Sequence, residues 1–294
     1  MMNRHYDQGQ KLDVAGLNEI TVLIDRSCTA RTEVGHNSWH PGQDGPPHRH
    51  EAKEQIFFVT AGTGTVRVGA ETFRVQPRDF IYVPAGMEHQ SIAAGPGPLE
   101  YLLFNAFLDE DKEGHATFAE HIAAVKHIRR AQADRQDAAA GGGGAAAPSA
   151  PYRRSKHIRD IFGVKMYDFG SNTTHLLLDR AETARCEATV VSWPAGSKGA
   201  MVSHKEKEQT FFVLEGGGEV TVDGETQPVS VGDVVFVPWK APHTTEAGAA
   251  GPLVYLCLNA IVTEEREPTF QAMYDRVAAS RIARWKSGDT KVGD

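Results

Sequence analysis

The apolar positions of this chain fall in short bursts, many of them alternating with polar ones, and Gly, Pro or Asp interrupts each burst. A period of two places alternate side chains on one face of an extended strand, so the pattern predicts half-buried strands. In the first half, strands are expected over residues 20–25, 29–39, 54–60, 64–68, 71–75, 79–83, 89–93 and 99–107. Two stretches show helical spacing instead. Thr117 to Gln132 brings Phe118, Ile122 and Val125 onto one stripe, and Thr269 to Trp285 does the same with Phe270, Tyr274 and Val277. A threonine stands at the N-cap position of each. Short strands in series with turn residues between them indicate an all-β sandwich or barrel, here followed by a short helix.

This plan is written twice. Offset by 154 positions, the chain aligns with itself without a gap from Leu23 to Asn105. LIDRSCTARTE at Leu23 answers LLDRAETARCE at Leu177, EQIFFV at Glu54 answers EQTFFV at Glu208, and His89, Tyr101 and Asn105 answer His243, Tyr255 and Asn259. Units this long are complete domains rather than solenoid repeats. The expected division is a first domain over residues 1–132, a linker over 133–151 and a second domain over 152–294. The linker's core, AAAGGGGAAAPSAP from Ala138 to Pro151, has too little apolar surface to pack.

Composition narrows the functional classes. A net charge of -7, from 31 basic and 38 acidic side chains, with no dense basic block beyond RRSK at Arg153 to Lys156, argues against nucleic acid as a partner. Apolar runs such as VVFVPW at Val234 fall short of the roughly 18 residues of a membrane span, and the first residues lack the apolar core of a secretory signal. Three cysteines without a CxxC pair suit a reduced compartment, so a cytoplasmic protein is expected, either a monomer or a homodimer.

The chemistry concentrates in HRHEAKEQ, from His48 to Gln55. His48 and His50, two apart, send their imidazoles to the same side of an extended segment. The turn marked by Pro84 and Gly86 can return His89 beside them. Three neutral imidazoles on strands are a metal site in outline. Alternation puts Gln55 on the ligand side and Glu54 on the other. Arg31, which alternates with Glu33, is either an inward clamp for a substrate carboxylate or half of a cross-strand ion pair on the outer face. Tyr101 is either an acid or hydrogen-bond donor to substrate, or a packed residue with a satisfied hydroxyl. Trp39 and Trp193 are expected in the core.

Each half resembles a cupin, and the whole resembles a bicupin. Gly42, His48, His50 and Gly62 fit the family's first motif, with Gln55 where a metal-binding glutamate is usual. Pro84, Gly86 and His89 fit the second, with Arg78 in place of its first glycine. In the second half His204, Gln209 and His243 correspond, but Val202 replaces the first histidine and Lys240 replaces the glycine of the second motif. The resemblance implies two tandem jelly-roll β-barrels and a divalent transition metal, Fe or Mn ahead of Zn, Ni or Cu. The ligands would be His48, His50, His89 and Gln55, with a weaker set of His204, Gln209 and His243. It further implies an enzyme for a small, anionic metabolite, foremost a dioxygenase-like oxidoreductase working in the first domain with Gln55, Arg31 and Tyr101 as catalytic candidates. The alternatives are a metal-dependent isomerase, decarboxylase or aminohydrolase, and a non-catalytic small-molecule-binding bicupin.

Overall fold

The expected strands pair into two separate sheet systems in the computed structural model, which describes residues 2–139, 157–159, 161 and 164–293. Contacts divide the chain into two units. One comprises Tyr6–Cys28 and Thr32–Asp160, and the other comprises Met1–His5, Thr29–Arg31 and Ile161–Asp294.

In the first-half unit a seven-stranded sheet runs in the order Ile158–Arg159, Phe80–Val83, Lys53–Ala61, Leu99–Phe107, Thr32–Trp39, Asn18–Ile24, Gln10–Asp13. A three-stranded sheet, Glu71–Val75, Gly64–Val68, His89–Ile92, faces it as the second wall of the jelly roll. Every neighbouring pair is antiparallel, both where a hairpin joins the strands and where they are distant in sequence. Between the walls lie Phe57, Val66, Phe73 and Tyr101, all buried. The rings of Phe57 and Tyr101 stack at 4.7 Å. Burying a side chain the size of Phe73 contributes about 1.5–3 kcal/mol.

The second-half unit repeats this plan. Its large sheet is Met2–His5, Asp233–Val237, Lys207–Glu215, Leu253–Ile261, Cys186–Trp193, Thr173–Leu178, Met166–Asp168, and its small one is Glu225–Ser230, Gly217–Val222, His243–Ala247. Each large sheet thus ends on a strand remote in sequence. Met2–His5 covers the edge of Asp233–Val237, and Ile158–Arg159 covers that of Phe80–Val83. Covered edges do not recruit other strands.

Helix α1 (Phe118–Ala139) and helix α2 (Phe270–Ser287) close the two units. Thr269 Oγ1 accepts from the main-chain N–H of Ala272, and Thr117 Oγ1 from that of Glu120, so both threonines satisfy N-terminal donors as their position predicts. Helix α1 runs through the first residues expected for the linker, and residues 140–151 of that segment lie outside the described residues. The strands Met2–His5 and Gln10–Asp13 were not legible in the alternation, being short with one apolar residue each.

Two of the motif's glycine positions show why the conformation matters. At Gly62 φ is +75°, and a Cβ would stand 1.9 Å from the carbonyl oxygen of Pro98, so only glycine fits. Arg78 replaces a motif glycine but keeps its conformation, with φ at 77°, at a cost of about 1–2 kcal/mol.

Candidate metal centre

The strand Lys53–Ala61 pairs with Leu99–Phe107, and that strand pairs with Thr32–Trp39, so register places Gln55, Asn105 and Glu33 side by side across three strands. Their side chains form a relay with a fixed polarity. Arg26, fully buried, donates to Glu33 at 2.5 Å. Glu33, an acceptor only, takes a hydrogen bond from Asn105 Nδ2 at 2.7 Å. The oxygen of that amide is then left to face residue 55, and Gln55 Nε2 donates to it at 2.9 Å. A glutamine satisfies this order and an ionised glutamate does not. Gln55 Oε1 is left buried with no hydrogen-bond partner, beside the three histidines.

Those histidines converge. His48 pairs with His89 through a β-bridge, and their rings lie 4.3 Å apart at the centroids, with His50 at 5.1 and 5.6 Å from them. One ligand atom from each falls within 4.8 Å of the others, a spacing that suits one ion. His48 Nδ1 bonds the carbonyl of Pro46 and His89 Nδ1 that of Met87, which leaves each Nε2 lone pair for a ligand. Burial is the main cause that lowers all three imidazole pKa values, His89 to about 4, while Lys53 adds repulsion at His50. Neutral imidazoles are the form a metal binds.

His50 is oriented by a carboxylate that sequence reasoning missed. Glu113 accepts from His50 Nδ1 at 3.2 Å and from Lys53 Nζ at 2.8 Å. Burial would raise its carboxyl pKa, but the Lys53 ammonium and further cations outweigh that and hold it below the ordinary value. Glu113 sits in a left-handed turn at φ 63°. Arg26 and Lys112 brace the turn reciprocally, each donating to the other's carbonyl. A carboxylate behind a ligand histidine fixes its tautomer and raises its basicity.

The cavity over these groups measures about 30 Å³, room for about two water-sized groups. Helix α1 roofs it with Phe118, His121, Ile122 and Arg129. Arg129 was readable in principle, because it continues the stripe of Phe118, Ile122 and Val125 by one further turn. Lys53 lies two residues before Gln55 on the same strand face and lines the cavity too.

Of the other expected site residues, Tyr101 lines the cavity, but its hydroxyl accepts from Asn37 at 2.9 Å and from Trp39 at 2.8 Å and lies 3.1 Å from Ser91 Oγ. Burial raises the pKa of its phenol. Glu54 accepts from Tyr82 at 2.5 Å and is not a lining residue. Arg31 is not a lining residue either. It belongs to the second-half unit, where its main-chain N–H donates to Glu208 at 2.6 Å.

In the second-half unit Val202 bridges to His243 as His48 does to His89, so an isopropyl group stands where the third imidazole would be. His204 and His243 remain, with ring centroids 5.0 Å apart. Gln209 donates to Asn259 and Asn259 to Glu187, both at 2.9 Å, repeating the relay.

The cupin domain family matches residues 36–105 and 189–259, the two stretches that carry these relays and histidines. The chain is a bicupin. An uncharacterized protein of Methanocaldococcus jannaschii is 39% identical over 66 residues, 22% of the bicupin, and the match spans about half the length of that relative. Among solved structures, an oxalate decarboxylase of Lactobacillus farciminis in complex with formate aligns with a TM-score of 0.61 at 15% identity, covering 97% of the bicupin and 96% of that chain. An oxalate decarboxylase of Bacillus subtilis whose Mn(II) centres were studied aligns with a TM-score of 0.58 at 15% identity, covering 91% and 78%. At such identities the likeness is one of fold. Among the described residues no helix of the bicupin is long and apolar enough to cross a membrane.

Proposed function

We propose that the bicupin is a metal-dependent enzyme that decarboxylates a short-chain carboxylic acid in its first barrel. The observation that carries this reading is the meeting of three neutral imidazoles, the unpartnered Gln55 Oε1 and the Arg129 guanidinium at one small cavity. His48, His50, His89 and Gln55 Oε1 would hold a divalent transition metal: the three imidazoles suit Fe among others, the carbonyl oxygen suits Mn, and Mn(II) is the ion of the Bacillus subtilis neighbour. Bound there, such an ion supplies Lewis acidity toward a carboxylate or carbonyl oxygen.

The chain's own groups do the rest. With four neutral ligands nothing offsets the ion's charge, which favours an anionic substrate, and Arg129 can take a carboxylate through two parallel N–H donors. Loss of CO2 leaves the bonding electron pair on carbon, which must then receive a proton. Lys53, an ammonium lining the cavity and held by Glu113, is placed to return it. At about 30 Å³ the cavity has room for about two water-sized groups, so an acid the size of oxalate enters only if side chains of helix α1 shift outward, and those side chains then exclude water around it.

Oxidation by dioxygen is the rival chemistry, since a three-histidine face with open positions also suits ferrous iron. One experiment separates the two. Protein loaded with Mn(II) or Fe(II) is given oxalate and a panel of short 2-oxo and 2-hydroxy acids while CO2 release and O2 uptake are followed together. The expected result is CO2 without stoichiometric O2 uptake, abolished in His48→Ala. Matched O2 consumption would establish oxidation by dioxygen in place of simple decarboxylation, and turnover that survives in His48→Ala would remove the first barrel from the reaction.

A further inference from the structure

The second barrel keeps the relay of the first but builds something else upon it. Its cavity measures about 110 Å³ against about 30 Å³. A cavity near 150 Å³ holds benzene, so this one admits roughly four or five non-hydrogen atoms. Gln209, 6% exposed, lines it, and Gln209 Oε1 has no hydrogen-bond partner because Nε2 is committed to Asn259. His243 Nδ1 bonds the carbonyl of Ala241, which leaves its other ring nitrogen as a second acceptor.

Two cations line the same space: Lys207, whose ammonium lies 3.1 Å from Glu187, and Arg281, whose guanidinium stacks over Phe169 at 5.3 Å from its centroid. A wider depression of about 530 Å³ shares His204, Lys207, Met273 and Arg281 with the cavity and forms its approach.

The features that suit an ion in the first barrel are missing here. Val202 removes one imidazole. Glu267, 154 residues after Glu113, is held by Arg276 at 2.7 Å and makes no hydrogen bond to His204. Loss of an outer carboxylate alone weakens a metal about 10- to 100-fold, and loss of a ligand adds to that.

We propose that the second barrel is a metal-free binding site for a short hydroxycarboxylate. Its carboxylate lies against Lys207 and Arg281, and its hydroxyl donates to Gln209 Oε1. The pairing follows from the donor count: a cavity wall with two cations and an orphan acceptor is satisfied by a ligand that is anionic at one end and a donor at the other. A plain carboxylate leaves Gln209 Oε1 unmet, and an ammonium group brings a third positive charge.

The test uses the full chain with His48→Ala as background, so that it stands or falls apart from the reaction assigned to the first barrel. Isothermal titration with glycolate is expected to show one site per chain, with binding weakened about tenfold or more by Gln209→Leu and, separately, by Arg281→Gln. Arg281→Gln serves as the second arm should Gln209→Leu lose stability on melting. Acetate and glycine are expected to bind at least about tenfold more weakly than glycolate. Metal analysis of the wild-type chain should give one ion, and Val202→His should raise this to two. Equal binding of acetate, glycine and glycolate would overturn the proposal. So would indifference of glycolate binding to both variants, or a metal ion retained by the second barrel in His48→Ala.

Discussion

Gln55→Glu puts the glutamate usual at this motif position back into the relay, and the structure says that it will destabilise the metal-free protein. Arg26 pins Glu33 at 2.5 Å, Glu33 can only accept, and Asn105 must therefore turn its Nδ2 toward Glu33 and its Oδ1 toward residue 55. A carboxylate at 55 faces that oxygen without a donor. Rotating Asn105 would move the conflict to Glu33. The donated bond at 2.9 Å is lost, and a charge is buried against a carbonyl at a site 5% exposed, for a cost of about 3 kcal/mol. In a domain of this size that lowers Tm by roughly 6–12 °C. Burial would also raise the carboxyl pKa of this glutamate, and a protonated carboxyl regains the missing donor, so the deficit relative to wild type should shrink as pH falls toward 5. A bound divalent ion offsets the buried charge, so Mn(II) should raise the Tm of the variant more than that of wild type. Thermal melts of both proteins, with chelator or Mn(II), at pH 7.5 and 5, measure each difference. Equal melting temperatures without metal at pH 7.5, or equal gains from Mn(II), would refute the relay argument.

Other consequences are as direct. Glu113→Gln leaves the shape of the site but removes the charge behind His50, and metal affinity measured by competition with a chelator should fall about 10- to 100-fold. Arg129→Met should raise KM for an acidic substrate more than it lowers kcat, read from initial rates, if its task is to hold a carboxylate. His89 and His243 are held neutral by burial, with pKa values of about 4 against 6.5 when unfolded. The unfolded chain therefore binds more protons between these values, so metal-free protein loses stability as pH falls from 6.5 to 4, by about 3 kcal/mol for each histidine, a loss followed by denaturant midpoints across that range. Arg26→Met strands Glu33 as an unpaired buried charge and should cost about 3–5 kcal/mol in a urea titration, more than the about 1 kcal/mol expected of the cap change Thr269→Ala.

Much of this architecture was legible in the residues, for identifiable reasons. Strands such as 64–68, 71–75 and 99–107 were readable to the residue because alternation and bounding Gly or Pro coincide there. His48, His50 and His89 were legible as a group because their spacing matches a strand and a turn. Glu113 was not, since it follows the aligned region in an irregular stretch whose left-handed turn no local pattern announces. The strand Met2–His5 was hidden for a related reason: its partner, Asp233–Val237, lies more than two hundred residues away, and three of its four residues are polar. Arg31 was a reasonable inward candidate by alternation with Glu33. The three residues Thr29–Arg31, however, pack with the other unit, where the main chain of Arg31 meets Glu208, and periodicity carries no information about such an exchange.

Helix positions are the instructive case. Helical spacing sets Phe118, Ile122 and Val125 on one stripe, and Phe270, Tyr274 and Val277 on another. Each stripe continues one turn further to an arginine, Arg129 or Arg281, and each arginine lines the cavity of its barrel. An arginine closes an apolar stripe twice in one chain, at the same distance from the same phenylalanine, and brings a cation to each cavity, although Arg281 also stacks over Phe169. The recurrence is explained if both cavities receive anions. On that reasoning the two barrels share an anion-binding roof and an amide relay, and they part only beneath it. His48 and the carboxylate behind His50 equip one floor for an ion, while Val202 and the capture of Glu267 by Arg276 leave the other for the ligand alone.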